Sequence, residues 1–220
     1  DYNTDKTGFT ANATWYAQSE KAAITHTATF NLNGASKQTN ASGTAVTDAS
    51  VTRTCTRAAV YNGATQDASC TIKSPTITAA TGFTVVGYNT SSSATASTWS
   101  HNADKTGITG DLTYYAITKS SDQITATFYK NGVTSQTPSG GSASTADTVT
   151  ASCYRYNGSA NCSVTSPAIT RSGFTITGYN TSSSATTSGW NVSTAKALSA
   201  NASYYAITSK VVTITFNKNG

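Results

Sequence analysis

Nine residues, GYNTSSSAT, stand at Gly87–Thr95 and again, letter for letter, at Gly178–Thr186. Repetition at long range constrains a fold more than any local pattern, because it marks a folded unit that has been duplicated. The stretch is not a linker, since each occurrence lies between a Gly-Phe strand and a following tryptophan, Trp99 or Trp190. Two further segments recur. An alternating strand appears as ITHTATFNLNG from Ile24, ITATFYKNG from Ile124 and VTITFNKNG from Val212. Ile, Ala and Phe share one face and Thr the other, the period-2 signature of a half-buried strand. His26 falls in phase with Ile24, Ala28 and Phe30, which places it at the edge of a core. A closing strand appears as ATWYAQ at 13–18, LTYYAIT at 112–118 and ASYYAIT at 202–208.

Placed in order, these segments divide the chain into the C-terminal end of a preceding repeat (1–21), two complete repeats (22–120 and 121–210) and the first strand of a following repeat (211–220). The expectation is a window onto a longer tandem array, in which similar units stack along a line.

Composition agrees with a folded, β-rich chain. Only 10% of the 220 residues are charged, against about 25% in ordinary soluble domains, and Thr, Ser, Ala and Asn take their place. Disordered chains carry more charge and fewer aromatics. The net charge of +5 is spread over scattered residues, whereas a nucleic-acid binder clusters its cations on one face. No run of about 18 apolar residues that would span a membrane is present. The fold class expected is mostly β, α+β at most, built of small tandem units.

Two cysteines fall in each complete repeat, and each pair brackets a Tyr-Asn-Gly. Asn-Gly between strand-like arms is the strongest short hairpin signal, because both residues accept positive φ in a type I′ turn. Cys153 stands four positions before Asn157 and Cys162 four after Gly158; Cys55 and Cys70 stand seven before and after Asn62-Gly63. Residues symmetric about a two-residue turn oppose each other, with Cα atoms about 4.5–5.5 Å apart, within reach of a disulfide. The spacing predicts Cys55–Cys70 and Cys153–Cys162, each stapling a β-hairpin. Counting from the turn makes 153/162 a non-hydrogen-bonded pair and 55/70 a hydrogen-bonded one. Disulfides in small units imply an oxidising, extracellular setting.

The order of segments resembles the internalin-type B-repeat, or Listeria–Bacteroides repeat, family: F-x-x-NG, then P…GF…G-aromatic-x-T, a Ser/Thr-rich loop and an aromatic-Tyr-Ala strand. The matching residues are Phe30, Asn33, Gly34, Pro75, Gly82, Phe83, Gly87, Tyr88, Thr90, Tyr115 and Ala116. In the second repeat they are Phe128, Asn131, Gly132, Pro167, Gly173, Phe174, Gly178, Tyr179, Thr181, Tyr205 and Ala206. The resemblance implies a β-grasp-like unit used in extracellular surface proteins as a stalk or interaction module, with no catalytic residues. This chain departs from the family in carrying Gly-Tyr for Gly-Trp and in its cysteine-bearing insertions.

Chemistry is hard to find. The nine acidic residues show no recurring spacing with a histidine, and no phosphate-binding or nucleophile motif is present. Two cysteines per repeat, with His26 and His101 confined to the first, are too few ligands for a metal site. The reading is therefore a non-enzyme with no cofactor and no metal. Lys6, Lys105 and Lys196 recur before the closing strand, either solvated or as candidates for a Lys–Asn crosslink. Tyr61, Tyr154 and Tyr156 near the hairpin tips are the candidate contact residues, and Asn89 and Asn180 in the duplicated loop are candidate glycosylation sites. The function expected is a structural segment of an extracellular or cell-surface tandem-repeat protein, a stalk or fibre building block. Its partners would be other repeats or neighbouring chains. The alternative is an adhesive module that binds glycan or host protein through the tyrosine-bearing tips.

Overall fold

The computed structural model describes residues 5–219. Residues 1–4 and 220, the outer ends of the first and last expected segments, lie outside the described residues. All regular elements among the described residues are β-strands. Seven form the main sheet: β1 (Ile24–Asn31), β2 (Ser50–Arg57), β3 (Phe83–Asn89), β4 (Leu112–Tyr129), β5 (Thr148–Tyr156), β6 (Thr175–Asn180) and β7 (Ala202–Ser209).

β4 organises the molecule. Its 18 residues run without interruption from the closing strand of the first unit into the opening strand of the second. In the first unit, β1 lies antiparallel to β2 and parallel to Leu112–Tyr115, and β3 lies antiparallel to Tyr115–Ser120. In the second unit the same order repeats: β5 antiparallel to Gln123–Tyr129, β7 parallel to Ala126–Tyr129, and β6 antiparallel to β7. Each unit thus has four strands with a parallel pair at its centre, and β4 supplies one member of both pairs. The expected boundary at 120/121 falls inside a strand.

Alternation decides which side chains face the core. In β1, His26, Ala28 and Phe30 are buried while the threonines between them are half-buried; Ile124, Ala126 and Phe128 repeat the pattern in β4. The core of each unit is an aromatic box. Phe30 meets Tyr88, Trp99 and Tyr114 at ring-centroid distances of 4.8, 5.3 and 5.9 Å. Phe128 meets Tyr179, Trp190 and Tyr204 at 4.9, 5.2 and 5.7 Å. Edge-on, tilted and offset-stacked pairs of this kind add about 0.5–1.5 kcal/mol each beyond the burial of their area.

The duplicated Gly-Tyr has a physical cause. Gly87 and Gly178 hold φ of 137° and 135°. A Cβ on Gly87 would meet Trp99 O and Ser97 Cβ at 2.7 Å, and one on Gly178 would meet Trp190 O at 2.6 Å. Only glycine lets the strand press against the tryptophan segment, and that approach turns Tyr88 and Tyr179 fully inward. Inside, the Tyr88 hydroxyl donates to Gln38 Oε1 at 3.2 Å and the Tyr179 hydroxyl to Gln136 Oε1 at 3.1 Å. Both glutamines are fully buried.

Burial pushes both phenols well above their ordinary value, with the Arg53 charge offsetting part of the rise at Tyr88. A pKa raised on folding means the folded state favours the neutral phenol. The stabilisation is complete below the unfolded value of about 10 and is lost as pH climbs above it. Urea titrations should therefore show stability falling from about pH 10 upward. Tyr88→Phe/Tyr179→Phe should start less stable at neutral pH, because Gln38 and Gln136 lose their donors, and should then fall less steeply. An identical alkaline slope in the two proteins would contradict this.

Shorter strands form a second layer. Cys70–Lys73 pairs with Asp104–Ile108, and Cys162–Thr165 with Ala195–Leu198. Lys37–Thr39 pairs with Ala45–Val46 and Ile77–Thr78, and Ser135–Thr137 with Ala168–Thr170.

Both predicted disulfides form, with Cα atoms 5.8 Å apart in each. The turns also hold as expected: Asn62-Gly63 have φ of 55° and 77°, and Asn157-Gly158 have 54° and 70°. The arms, however, do not zip together as hairpin ladders. Cys55 and Cys153 lie in the main sheet opposite His26 and Ile124. Cys70 and Cys162 lie in the second layer opposite Ile108 and Leu198. The arms separate because the one after the turn must cover the other face of the core, where it buries Ile72 and Val164. Each bond therefore staples one sheet to another, and the hydrogen-bonded and non-hydrogen-bonded assignments made from the turn do not apply. Closing loops of this length contributes on the order of 2–3 kcal/mol to a unit with a small core.

At the two ends, Ala13–Gln18 and Val212–Phe216 repeat the sequences of β4 and β1 but carry no strand. Their side chains are exposed, Trp15 and Tyr16 at one end and Val212, Ile214 and Phe216 at the other. A lone strand without neighbours has no ladder to join.

Candidate functional site

The features that join the two units converge on one place. Around Asn157-Gly158, the turn of the second unit, Ser159 N donates to Tyr156 O at 2.9 Å, and the left-handed backbone that Asn and Gly tolerate makes the turn tight. The tight turn projects Asn157 onto the first unit. Its backbone N–H donates to Thr118 O at 2.9 Å, and its Oδ1 accepts from Thr118 N at 3.2 Å. Its Nδ2 donates to Ser92 O at 2.9 Å and to Ala94 O at 3.2 Å. One carboxamide thus uses its acceptor and both donors against the neighbouring unit.

Ser92 and Ala94 belong to GYNTSSSAT. The loop is braced from within: Asn89 Nδ2 donates to Ala96 O at 2.9 Å and Asn89 Oδ1 accepts from Ser91 N at 3.0 Å. Asn33 braces it from the side, donating through Nδ2 to Ser92 O at 3.0 Å and to Ala116 O at 2.9 Å. Ser92 O therefore receives one asparagine from each unit. Gly34, next to Asn33, completes the socket. Its φ is 82°, and a Cβ there would stand 2.1 Å from Asn157 O. A Cβ on Gly158 would stand 3.1 Å from Gly34 Cα. The two backbones touch because neither residue has a side chain.

Flanking groups seal the joint. Lys119 pairs in register with Tyr156, and its ammonium sits 3.5 Å above the Tyr154 ring, a cation–π contact. Arg155 lies over the Phe83 ring at 5.5 Å, and its backbone N–H donates to Ser120 Oγ at 3.0 Å. The polar run Lys119–Gln123, which reads as a break between units, is thereby held within β4 by the next unit's tip.

The candidate contact tyrosines separate into two kinds. Tyr154 and Tyr156 are half-buried in this joint. Tyr61 is 56% exposed; it pairs with Glu20, and its hydroxyl lies 3.3 Å from Glu20 Oε1. Asn89 and Asn180, the candidate glycosylation sites, have carboxamides engaged in holding their loops, Asn180 through Thr187 O and Ser182 N. Lys105 and Lys196 sit above the Trp99 and Trp190 rings at 5.6 and 5.4 Å, which accounts for their recurrence as caps on the aromatic boxes. Sequence reasoning missed Ser92, Thr118, Gln38 and Gln136. For Ser92 a signal was present: a loop copied without a single change is constrained by more than solvent.

Among the described residues, no three His, Cys, Asp or Glu side chains gather where they could hold a metal. The contacts at this joint hold one unit against the next. Comparison of the chain with family models, with curated proteins and with solved structures finds no match.

Proposed function

We propose that the chain is a structural segment of an extracellular tandem-repeat protein, a stalk or filament element that holds successive units in fixed relation. The observation that carries this reading is β4, one strand of the main sheet that belongs to both units. Units joined by a flexible linker reorient freely, whereas units that share a strand and lock it with a docked turn transmit force and direction. The disulfides support an oxidising compartment. They also suit a mechanical role, since each ties the main sheet to the layer above it.

The four-strand order with a central parallel pair supports β-grasp-like units of the internalin B-repeat kind. The adhesive alternative is weakened at Tyr154 and Tyr156, which are engaged in the joint, and would rest on Tyr61. Electron microscopy of the native material tests the structural reading. It should show extended rods with a regular repeat along their length; isolated globules would overturn it.

A further inference from the structure

We propose that Asn157-Gly158 is a self-modifying site: the asparagine deamidates through its own backbone when the joint opens, and the carboxylate that results keeps the joint from closing again. The inference rests on the joint between the two units and not on the filament reading, so either can fail without the other. Asparagine is among the thermolabile residues. Asn-Gly is its most reactive context, because glycine puts no side chain beside the attacking nitrogen.

The reaction needs only water. The Gly158 amide nitrogen gives its proton to water and bonds to Asn157 Cγ. The Cγ–Nδ2 bond breaks, and Nδ2 takes a proton back from water and leaves as ammonia. Water then opens the cyclic imide at one of its two carbonyls. The product is aspartate or, with an extra carbon in the main chain, isoaspartate. One water is consumed and one ammonia released, and nothing is oxidised or reduced.

Attack requires the carboxamide to turn toward Gly158, and the closed joint holds it elsewhere. Nδ2 donates to Ser92 O at 2.9 Å and to Ala94 O at 3.2 Å, while Oδ1 accepts from Thr118 N at 3.2 Å. All three partners belong to the first unit, so the protection lasts only while the units are joined. Asn33 and Asn131, also followed by glycine, are held within their own units: Nδ2 donates to Ser92 O and Ala116 O in one, and to Ser183 O and Ala206 O in the other. Asn62-Gly63 makes the same left-handed turn as Asn157-Gly158, but Asn62 is exposed, and its bond to Ser19 O at 2.9 Å comes from the backbone N–H. It is the unprotected reference. The modified tip cannot dock as before, because a carboxylate has no donor for the Ser92 and Ala94 carbonyls and sets its charge against both. The reactive dipeptide is also the one the joint requires: Gly158 holds φ of 70°, and a Cβ there would stand 3.1 Å from Gly34 Cα.

Peptide mapping by mass spectrometry, on the full chain aged in mildly alkaline buffer, times the reaction at each asparagine. Reaction of a transiently open form tracks the population of that form, so Asn157 should deamidate at least about tenfold more slowly than Asn62 in the folded protein. In denaturing urea with the disulfides reduced, the two should react alike. Gly34→Ala, which displaces Asn157 O, should bring Asn157 close to the Asn62 rate while Asn131 stays slow. Where circular dichroism shows that variant unfolded, urea below the wild-type transition replaces it, and should accelerate Asn157 while leaving Asn62 unchanged. Asn157→Asp supplies the product directly, and hydrogen exchange at the Thr118 amide should quicken by at least about tenfold as the tip leaves. Equal rates at Asn157 and Asn62 in folded wild type overturn the protection, as does an Asn157 that stays slow once the joint is opened. Unchanged Thr118 exchange in Asn157→Asp overturns the claim that the reaction holds the joint open. Any of these results leaves the rods expected of the native material untouched.

Discussion

Gly34→Ala should destabilise the protein by several kcal/mol and release the second unit's tip, whereas Gly132→Ala should cost only about 1 kcal/mol, the strain of a side chain in left-handed backbone. The two glycines are matched controls. Their φ angles differ by one degree, and each follows an asparagine that braces a GYNTSSSAT loop. They differ in what the added methyl meets. At Gly132 the nearest atom is the end of the Arg171 side chain at 3.6 Å; at Gly34 it is the Asn157 carbonyl oxygen at 2.1 Å. A backbone carbonyl cannot rotate away, so the tip must withdraw. It then gives up the bonds of Asn157 to Thr118, Ser92 and Ala94, each with a net value of about 0.5–1.5 kcal/mol. Urea unfolding of the two variants measures the difference directly, and equal losses would show that the tip is not held as described.

Phe30→Ala should cost about 3–5 kcal/mol, the range for emptying an aromatic side chain from a core. Phe30 is fully buried and touches all three other members of its aromatic box, so no neighbour can collapse into the space without breaking another pair. The loss should be concentrated in the first unit. Stability in stacked units is a sum of unit terms and nearest-neighbour terms, and the second unit keeps its own box around Phe128. Hydrogen exchange resolves the two. Amides of β1 and β2 should lose most of their protection, while those of β5 and β7 should lose no more than the joint contributes. Equal loss in both units would mean one indivisible core; no loss in either would mean the box is not the source of stability.

What could be read from the chain before the fold was local and periodic. Alternation placed Phe30, Ala28 and His26 on one face, and symmetry about Asn-Gly paired the cysteines correctly. What could not be read depended on which strands become neighbours. The hairpin arms were expected to pair with each other because nothing local says that Cys70 and Cys162 leave for a second layer; only burial of Ile72 and Val164 on the far face of the core decides it. The run Lys119–Gln123 looks like a break since its polar residues have no apolar partner in their own unit. Their partners, Tyr154, Tyr156 and the Arg155 backbone, arrive from more than 30 positions away. The roles of Gln38 and Gln136 were hidden for the same reason: a buried glutamine is costly unless a donor meets it, and the donors are Tyr88 and Tyr179.

The shared strand and the docked turn make one claim, that the two units do not move independently. Residual dipolar couplings of backbone amides in a weakly aligned sample test it most directly. A single alignment tensor should fit the couplings of β1–β3 and β5–β7 together, and Gly34→Ala should reduce the order seen by one unit relative to the other. Two different tensors in the wild-type protein would contradict the account.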